Sequence, residues 1–476
     1  MTRKDKIILL VTTTLCGALA LVAVRARDLP RVATGFVSQT MCSAAFVSGV
    51  DPDQLYLETA SVMPGVGLLT WAMDRHIDRK AKEVTVTLLG RRKSRAVYRE
   101  GLGCYLVQGD GTVDAALPPQ SATMLHASLP DIAGASIVEP ANPDLRLALD
   151  RAFAEPDARP VRHTKAVVVL RDGRVIAERY APGYGIDTPI HGWSATKSVI
   201  SALIGILVRD GKLVVNAPAP VAAWQHLDDP RHAITVDHLL RHTAGLAMGS
   251  SLNASLASAI APVNQAKYVA RDMAALAENA ALETQPGTAF NYHDGNTIIL
   301  SRLIRDAVGG HAADVLRFAH AELFDPLGMR SVTLEVDATG TPDGSSQMFA
   351  TARDWARFGQ LYLDDGVVGD RRILPEGWAD YSSTPTPNGM IGIGAGFWTN
   401  RGDSLGAKYR IDHGWPADAF FAKGTLGQYV IVVPSRRLVI VRFGISPNTP
   451  GIDGVAELIA DVIAATAGRG RLAADN

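Results

Sequence analysis

Two β-hairpin signatures lie far apart in this chain, and together they restrict its fold more than any other feature. Ala166–Leu170 is a β-branched run that turns through Arg171-Asp172-Gly173-Arg174 and returns as Val175–Tyr180; such runs joined by an Asp-Gly turn signal a hairpin. Tyr429–Val433 and Leu438–Phe443 repeat the pattern across Pro434-Ser435-Arg436-Arg437. From Ser194 to Ala319 helical spacing dominates, interrupted by loops rich in Gly, Pro and Asp, and Val455–Thr466 reads as a final amphipathic helix. A sheet assembled from distant segments, with an inserted helical region, is the expected outcome. Upstream, Val84–Leu89, Ala96-Val97-Tyr98 and Cys104–Val107 predict short strands, and Asn142–Arg159 predicts a helix between prolines. The fold class is therefore α+β: an antiparallel sheet flanked by helices, plus a small N-terminal α/β extension and an N-terminal hydrophobic helix. The expected division is 1–28 (signal peptide or membrane anchor), 29–160 (extension) and 161–470 (main domain).

The hydrophobic helix is expected at Ile7–Val24, a run without charge that follows Arg3, Lys4 and Lys6 and is closed by Arg25, Arg27 and Asp28. As a helix it would rise about 27 Å, close to the hydrocarbon thickness of a bilayer. A signal peptide or an uncleaved anchor both fit, and either implies export, with membrane contact only if the run is retained. Cys16 lies inside it, leaving Cys42 and Cys104 in the body. In an oxidising compartment such a pair closes a disulfide; otherwise both are reduced, buried thiols. Two cysteines fall short of a four-ligand zinc site. A net charge of −1 removes the cationic excess that phosphate binding needs, so nucleic acid is not an expected partner.

The chemistry starts at Ser194-Ala195-Thr196-Lys197. Residues three apart on a helix face the same side, so both side chains can reach one cleft. A serine hydroxyl becomes a nucleophile when a base takes its proton, and a lysine serves once its pKa falls from about 10.4. The first turn of the helix supplies a positive dipole end and free N–H groups for an oxyanion.

From here the sequence resembles a known family. Ser194–Lys197 followed by Gly211-Lys212-Leu213 is similar to the active-site helix of the serine β-lactamase/penicillin-binding-protein superfamily. The likeness is to its class C β-lactamase-related branch of esterases, D-amino-acid peptidases and 6-aminohexanoate-dimer hydrolases. Leu239–Leu246 resembles that group's LLxHTSGL segment and Phe290–Thr297 its Tyr-x-Asn segment. Ala350–Trp355 with Phe358-Gly359 resembles the helix that follows, and Gly424–Gln428 the strand that carries Lys-Thr-Gly or His-Thr-Gly. The resemblance covers about Arg162 to Ala467. It implies a β-lactamase/transpeptidase-like fold and an acyl-enzyme at Ser194, with Lys197 and Tyr292 handling the proton. It also implies an oxyanion site from the N–H groups of Ser194 and Thr425, with Gly424 and Asp294 against the substrate. Cys42–Gly49 and Gly101–Cys104 resemble an extension on some exported bacterial members, which implies a scaffold or membrane-proximal packing role. With the N-terminal run as signal or anchor, the expected location is periplasmic, either anchored to the inner membrane or released after cleavage. The implied partner is a small ester or amide, with no cofactor and no metal; the oligomeric state is left open.

Two departures narrow the substrate. Alignment of Gly424 puts Ala422 where the carboxylate-recognising lysine would stand, and Lys423 beside it should face the other side of the strand. Asp294 replaces an asparagine and has no N–H to donate, although Asn296 lies close enough in sequence to take that role. Both favour esters or uncharged amides over β-lactams and D-peptides. The alternative readings are a non-catalytic, penicillin-binding-like binding or sensing module and, behind it, a true β-lactamase or D-peptidase. His226, His232, His238 and His242 form a rival cluster, in which His238 and His242 have the spacing of a helical metal pair. Asp412-His413-Gly414-Trp415 either lines the pocket or forms a plain connection.

Overall fold

The structure, a computed structural model, describes residues 27–91, 93–109, 131–157, 161–251, 258, 260–447 and 454–467. The Ile7–Val24 run lies outside the described residues. Among the described residues no helix is long and apolar enough to cross a membrane.

The two hairpins do join. Thr164–Arg171 and Arg174–Tyr180 form the first, and Asp172 and Gly173 both take positive φ, 49° and 76°, as a tight two-residue hairpin turn requires. Gln428–Val433 and Leu438–Gly444 form the second, and Leu438–Gly444 pairs antiparallel with Thr164–Arg171. With Phe420–Gly424 and the short edge strand Trp398–Thr399, the result is a six-stranded antiparallel sheet among the described residues. The central runs are apolar at nearly every position, which fits strands covered on both faces. Ala166, Val168, Leu170, Ala422 and Val430 face one core with the helices Thr196–Arg209 and Ala352–Leu363. Val167, Val169, Phe421 and Ile431 face another, under the helices Pro143–Phe153 and Val455–Thr466.

The Pro143–Phe153 helix is shorter than its sequence pattern implies. Asn142 caps it by accepting from Asp144 N, and the chain turns extended at Ala154, ahead of Pro156. By packing it belongs with the central sheet, although it precedes residue 161.

The extension has its own core. The helix Leu29–Ser43 crosses a four-stranded antiparallel meander of Met73–Asp78, Glu83–Leu88, Lys93–Arg99 and Gly103–Leu106. Val32, Phe36 and Met41 pack there on Val84, Val86 and Ala96. Cys42 and Cys104 are disulfide-bonded, tying the helix end to the last strand at a Cα–Cα distance of 6.1 Å. The same core takes in Tyr268, Leu426 and Ile445 from the main body. Close approach depends on Gly35, where a Cβ would come within 3.1 Å of the Tyr268 carbonyl oxygen.

One carboxylate fastens the extension down. Glu335, from the main body and fully buried, accepts from Ser43 Oγ at 2.7 Å, Cys104 N at 2.8 Å and Gln39 Nε2 at 3.2 Å. Burial pushes its pKa up to about 8 against the pull of these donors. Between the ordinary glutamate range and that value the folded state holds a proton the unfolded chain has lost. The stability Glu335 contributes is therefore full at acidic pH and is lost as pH rises toward 8. The melting temperature of the wild type should fall relative to Glu335→Gln between about pH 5 and about pH 8. Parallel melting curves for the two proteins would contradict this account.

Candidate active site

The turn before Ser194 is shaped by its neighbours. Ile190–His191 pairs with Met348–Ala350, and a Cβ on Gly192 would come within 2.3 Å of Trp355. Trp193 then takes a left-handed φ of 48°, a conformation that costs a bulky residue about 1–3 kcal/mol. Its ring stacks on His191 at 4.2 Å and lies 6.0 Å from Phe36 of the extension. A 3₁₀ turn, Trp193–Ala195, feeds the helix Thr196–Arg209, so Ser194 stands just ahead of the α-helical first turn.

Ser194 is half-buried, and Lys197 Nζ lies 2.9 Å from its Oγ. That nitrogen also donates hydrogen bonds to Asp294 Oδ1 at 2.6 Å and the Ser345 carbonyl at 2.8 Å. An ammonium has three protons to donate, and all three have acceptors here. Burial is the largest influence on the Lys197 pKa and pulls it down, but Asp294 and the Tyr292 phenol together outweigh it, and the net direction is upward. Asp294 starts the helix Asp294–Val308 and meets a second buried cation, Lys267, at 3.0 Å through Oδ2. Burial alone would raise the Asp294 pKa; the two lysines hold it well below the carboxylate range.

Tyr292 is half-buried with its ring centroid 5.1 Å from Lys197 Nζ, 4.6 Å from the His242 ring and 6.2 Å from Trp398. Gly424 reaches the same turn from the sheet: a Cβ there would lie 2.2 Å from the Gly192 carbonyl oxygen. The following turn is pinned from behind. Gln428 Nε2 donates to Thr425 O at 3.0 Å, and Arg442 Nη1 donates to Gly427 O at 2.8 Å. Ser194, Lys197, Tyr292 and Asp294 thus come together, with Gly424 and Thr425 on the strand end beside them.

The neighbouring positions separate cleanly. Ala422 is buried in the core under the Thr196–Arg209 helix, while Lys423 lies on the other face, its Nζ 4.6 Å from the Trp398 ring and 5.4 Å from that of Tyr429. Asp294, not Asn296, meets Lys197; Asn296 Nδ2 instead faces His242 Nδ1 at 3.2 Å. The histidine cluster does not converge. The Val236–Leu240 helix ends before His242, which takes φ of 58°, so His238 and His242 share no helix face. His238 Nδ1 accepts from Thr235 N, and His232 Nδ1 lies 2.9 Å from Trp224 O. Among the described residues no group of acidic, His or Cys side chains is arranged for a metal. Trp415 packs on Phe421 and Tyr429, and His413 lies exposed against Tyr409.

Lys267, Asp343 and Ser346 escape the sequence reading. Lys267 Nζ also contacts Ser346 Oγ at 2.6 Å and Asp343 Oδ2 at 3.5 Å. Nothing local distinguishes Lys267 from a surface lysine, since Asn264-Gln265-Ala266-Lys267 carries no motif.

The sequence profile of the Beta-lactamase family matches residues 149–462. The chain belongs to the beta-lactamase family. A curated relative, the 6-aminohexanoate-dimer hydrolase of Paenarthrobacter ureafaciens, is 26% identical over 231 residues, or 46% of this chain and 56% of that one. A penicillin-binding protein homologue from Caulobacter crescentus superposes with a TM-score of 0.54 at 18% identity, over 69% of this chain and 99% of the other. A family VIII carboxylesterase gives a TM-score of 0.52 at 16% identity, again over 69% and 99%. At such identities the superpositions show the fold alone.

The contact at Gly424 can be tested directly. Gly424→Ala should force the strand end away from Gly192 and destabilise the protein by about 1–3 kcal/mol in chemical denaturation. An unchanged midpoint would show that the strand yields freely there.

Proposed function

We propose that this chain is a serine hydrolase that cleaves an ester or amide through an acyl-enzyme on Ser194. The observation that carries this reading is the 2.9 Å contact between Lys197 Nζ and Ser194 Oγ in a half-buried site beside Tyr292. Ser194 Oγ attacks the substrate carbonyl while its proton passes to Lys197, as free amine, or through Tyr292. The N–H groups of Ser194 and Thr425 face the developing oxyanion. The bond to the leaving alcohol or amine breaks as that group takes up a proton. Water then attacks the acyl-serine, releases the acid and returns the proton to Ser194.

Ala422 and Asp294 support an uncharged acyl group. Ala422 brings no cation for a substrate carboxylate, and Asp294 has no N–H for a substrate carbonyl. The name of the Paenarthrobacter relative supports a linear amide among the candidates. The Cys42–Cys104 bond supports an oxidising compartment, and hence export with Ile7–Val24 as signal or anchor.

Because Asp294 raises the Lys197 pKa, the free amine grows only as pH rises, so acylation should accelerate from neutral into alkaline solution. A fluorophosphonate probe should label the wild type with this pH dependence, and Ser194→Ala should remove the label. Persistent labelling of Ser194→Ala would overturn the assignment. Short acyl esters, linear amide dimers, D-amino-acid amides and β-lactams form the substrate panel, with the first two expected to turn over. Single acylation without turnover would instead favour a binding or sensing module, a reading that the fully engaged Lys197 ammonium supports.

A further inference from the structure

Asp294 presents a problem for the proposed base. One carboxylate closed on one lysine holds that lysine's proton more firmly than an asparagine would. The structure answers with a second ammonium on the far carboxylate oxygen. Lys267 Nζ lies 3.0 Å from Asp294 Oδ2, while Lys197 Nζ takes Oδ1 at 2.6 Å. The side chains of Lys267 and Asp294 are each only 5% exposed, so water does little to screen either charge.

We infer that Lys267 is a positioning residue for acylation: by sharing Asp294 with Lys197 it divides the carboxylate's charge and sets the pH at which Lys197 becomes a base. The inference rests on the assignment of Ser194 as nucleophile and Lys197 as base. Four charges alternate through the buried site in the order Lys197, Asp294, Lys267, Asp343. The segment Asp343–Ser346 touches both lysines. The Ser345 carbonyl accepts from Lys197, Ser346 Oγ and Asp343 Oδ2 meet Lys267, and Asp343 Oδ1 accepts from Ser345 Oγ at 2.5 Å. Lys267 therefore orients the carboxylate and braces the loop that supplies the last acceptor of the base.

Other titratable groups surround these four. Tyr292 lies beside Lys197, and Tyr268 has its ring 5.8 Å from Lys267 Nζ. Burial holds His242 and His293 neutral on the Lys197 side, and His191 neutral where it bonds the Ser346 carbonyl. These three histidines do not change charge above neutral pH. Glu335 lies beyond Asp343 and loses its proton near pH 8, so it needs a control.

The full chain is labelled with an alkyl fluorophosphonate, and the labelling rate is recorded against pH with and without Glu335→Gln. Ser194→Ala runs in parallel; label on that variant would remove the nucleophile assignment and this inference with it. With Ser194→Ala silent, Lys267→Met should move the rising limb to higher pH by about one unit or more. Lys267→Arg should move it less, because the charge is kept. Lys267→Met combined with Asp294→Asn should bring the limb back, since the unshared carboxylate is gone. Asp343→Asn should move it the opposite way, to lower pH, and decides the matter should Lys267→Met fail to fold. A limb that stays in place in folded Lys267→Met or in Asp343→Asn would overturn the role of Lys267 while leaving that of Ser194 intact. A purely structural lysine would lower the melting temperature without moving the limb.

Discussion

A carboxylate removed from water is held in place by the cations it meets, and Asp294 meets two. Desolvating each of these ions costs several kcal/mol, which the pairing must offset. That requirement brings four parts of the chain together. Lys197 comes from the helix after Ser194, Lys267 from the Pro262–Tyr268 helix, Asp294 from the start of its own helix, and Asp343 from the loop before Met348–Ala350. Loss of one member would leave a buried charge without its partner, so the cluster acts as a unit.

The extension completes this arrangement. Glu335 pairs in backbone register with Gln347 and Asp343, close to the lysine cluster, while its side chain holds Ser43, Gln39 and Cys104. Phe36 lies against Trp193 and Tyr268, the residues next to Ser194 and Lys267. Leu426, next to Thr425, is buried in the extension's core. The disulfide spans a sequence separation of 62 and keeps this wall assembled by restricting the unfolded chain.

Local pattern served well where the chemistry is local. The hairpin at Asp172-Gly173 and the helix Val455–Thr466 were legible because turn residues and apolar spacing act within a few positions. Met73–Asp78 was not legible: Met-Asp-Arg-His-Ile-Asp has little strand character and is ordered by pairing with Glu83–Leu88. The helical metal pair failed for a similar reason, since the spacing of His238 and His242 assumed a helix that ends at Leu240.

The sequence by itself determined the hairpins, the spacing of Ser194 and Lys197 on one short stretch, and the pair of cysteines available for a bridge. Each depends on neighbours in the chain or on simple scarcity. Tertiary structure alone decided that Asp294 rather than Asn296 meets Lys197, that Lys267 shares that carboxylate, and that Glu335 anchors the extension. Those choices join residues far apart in sequence. They are made by burial, which forces each charge to find a partner wherever the fold brings one within reach.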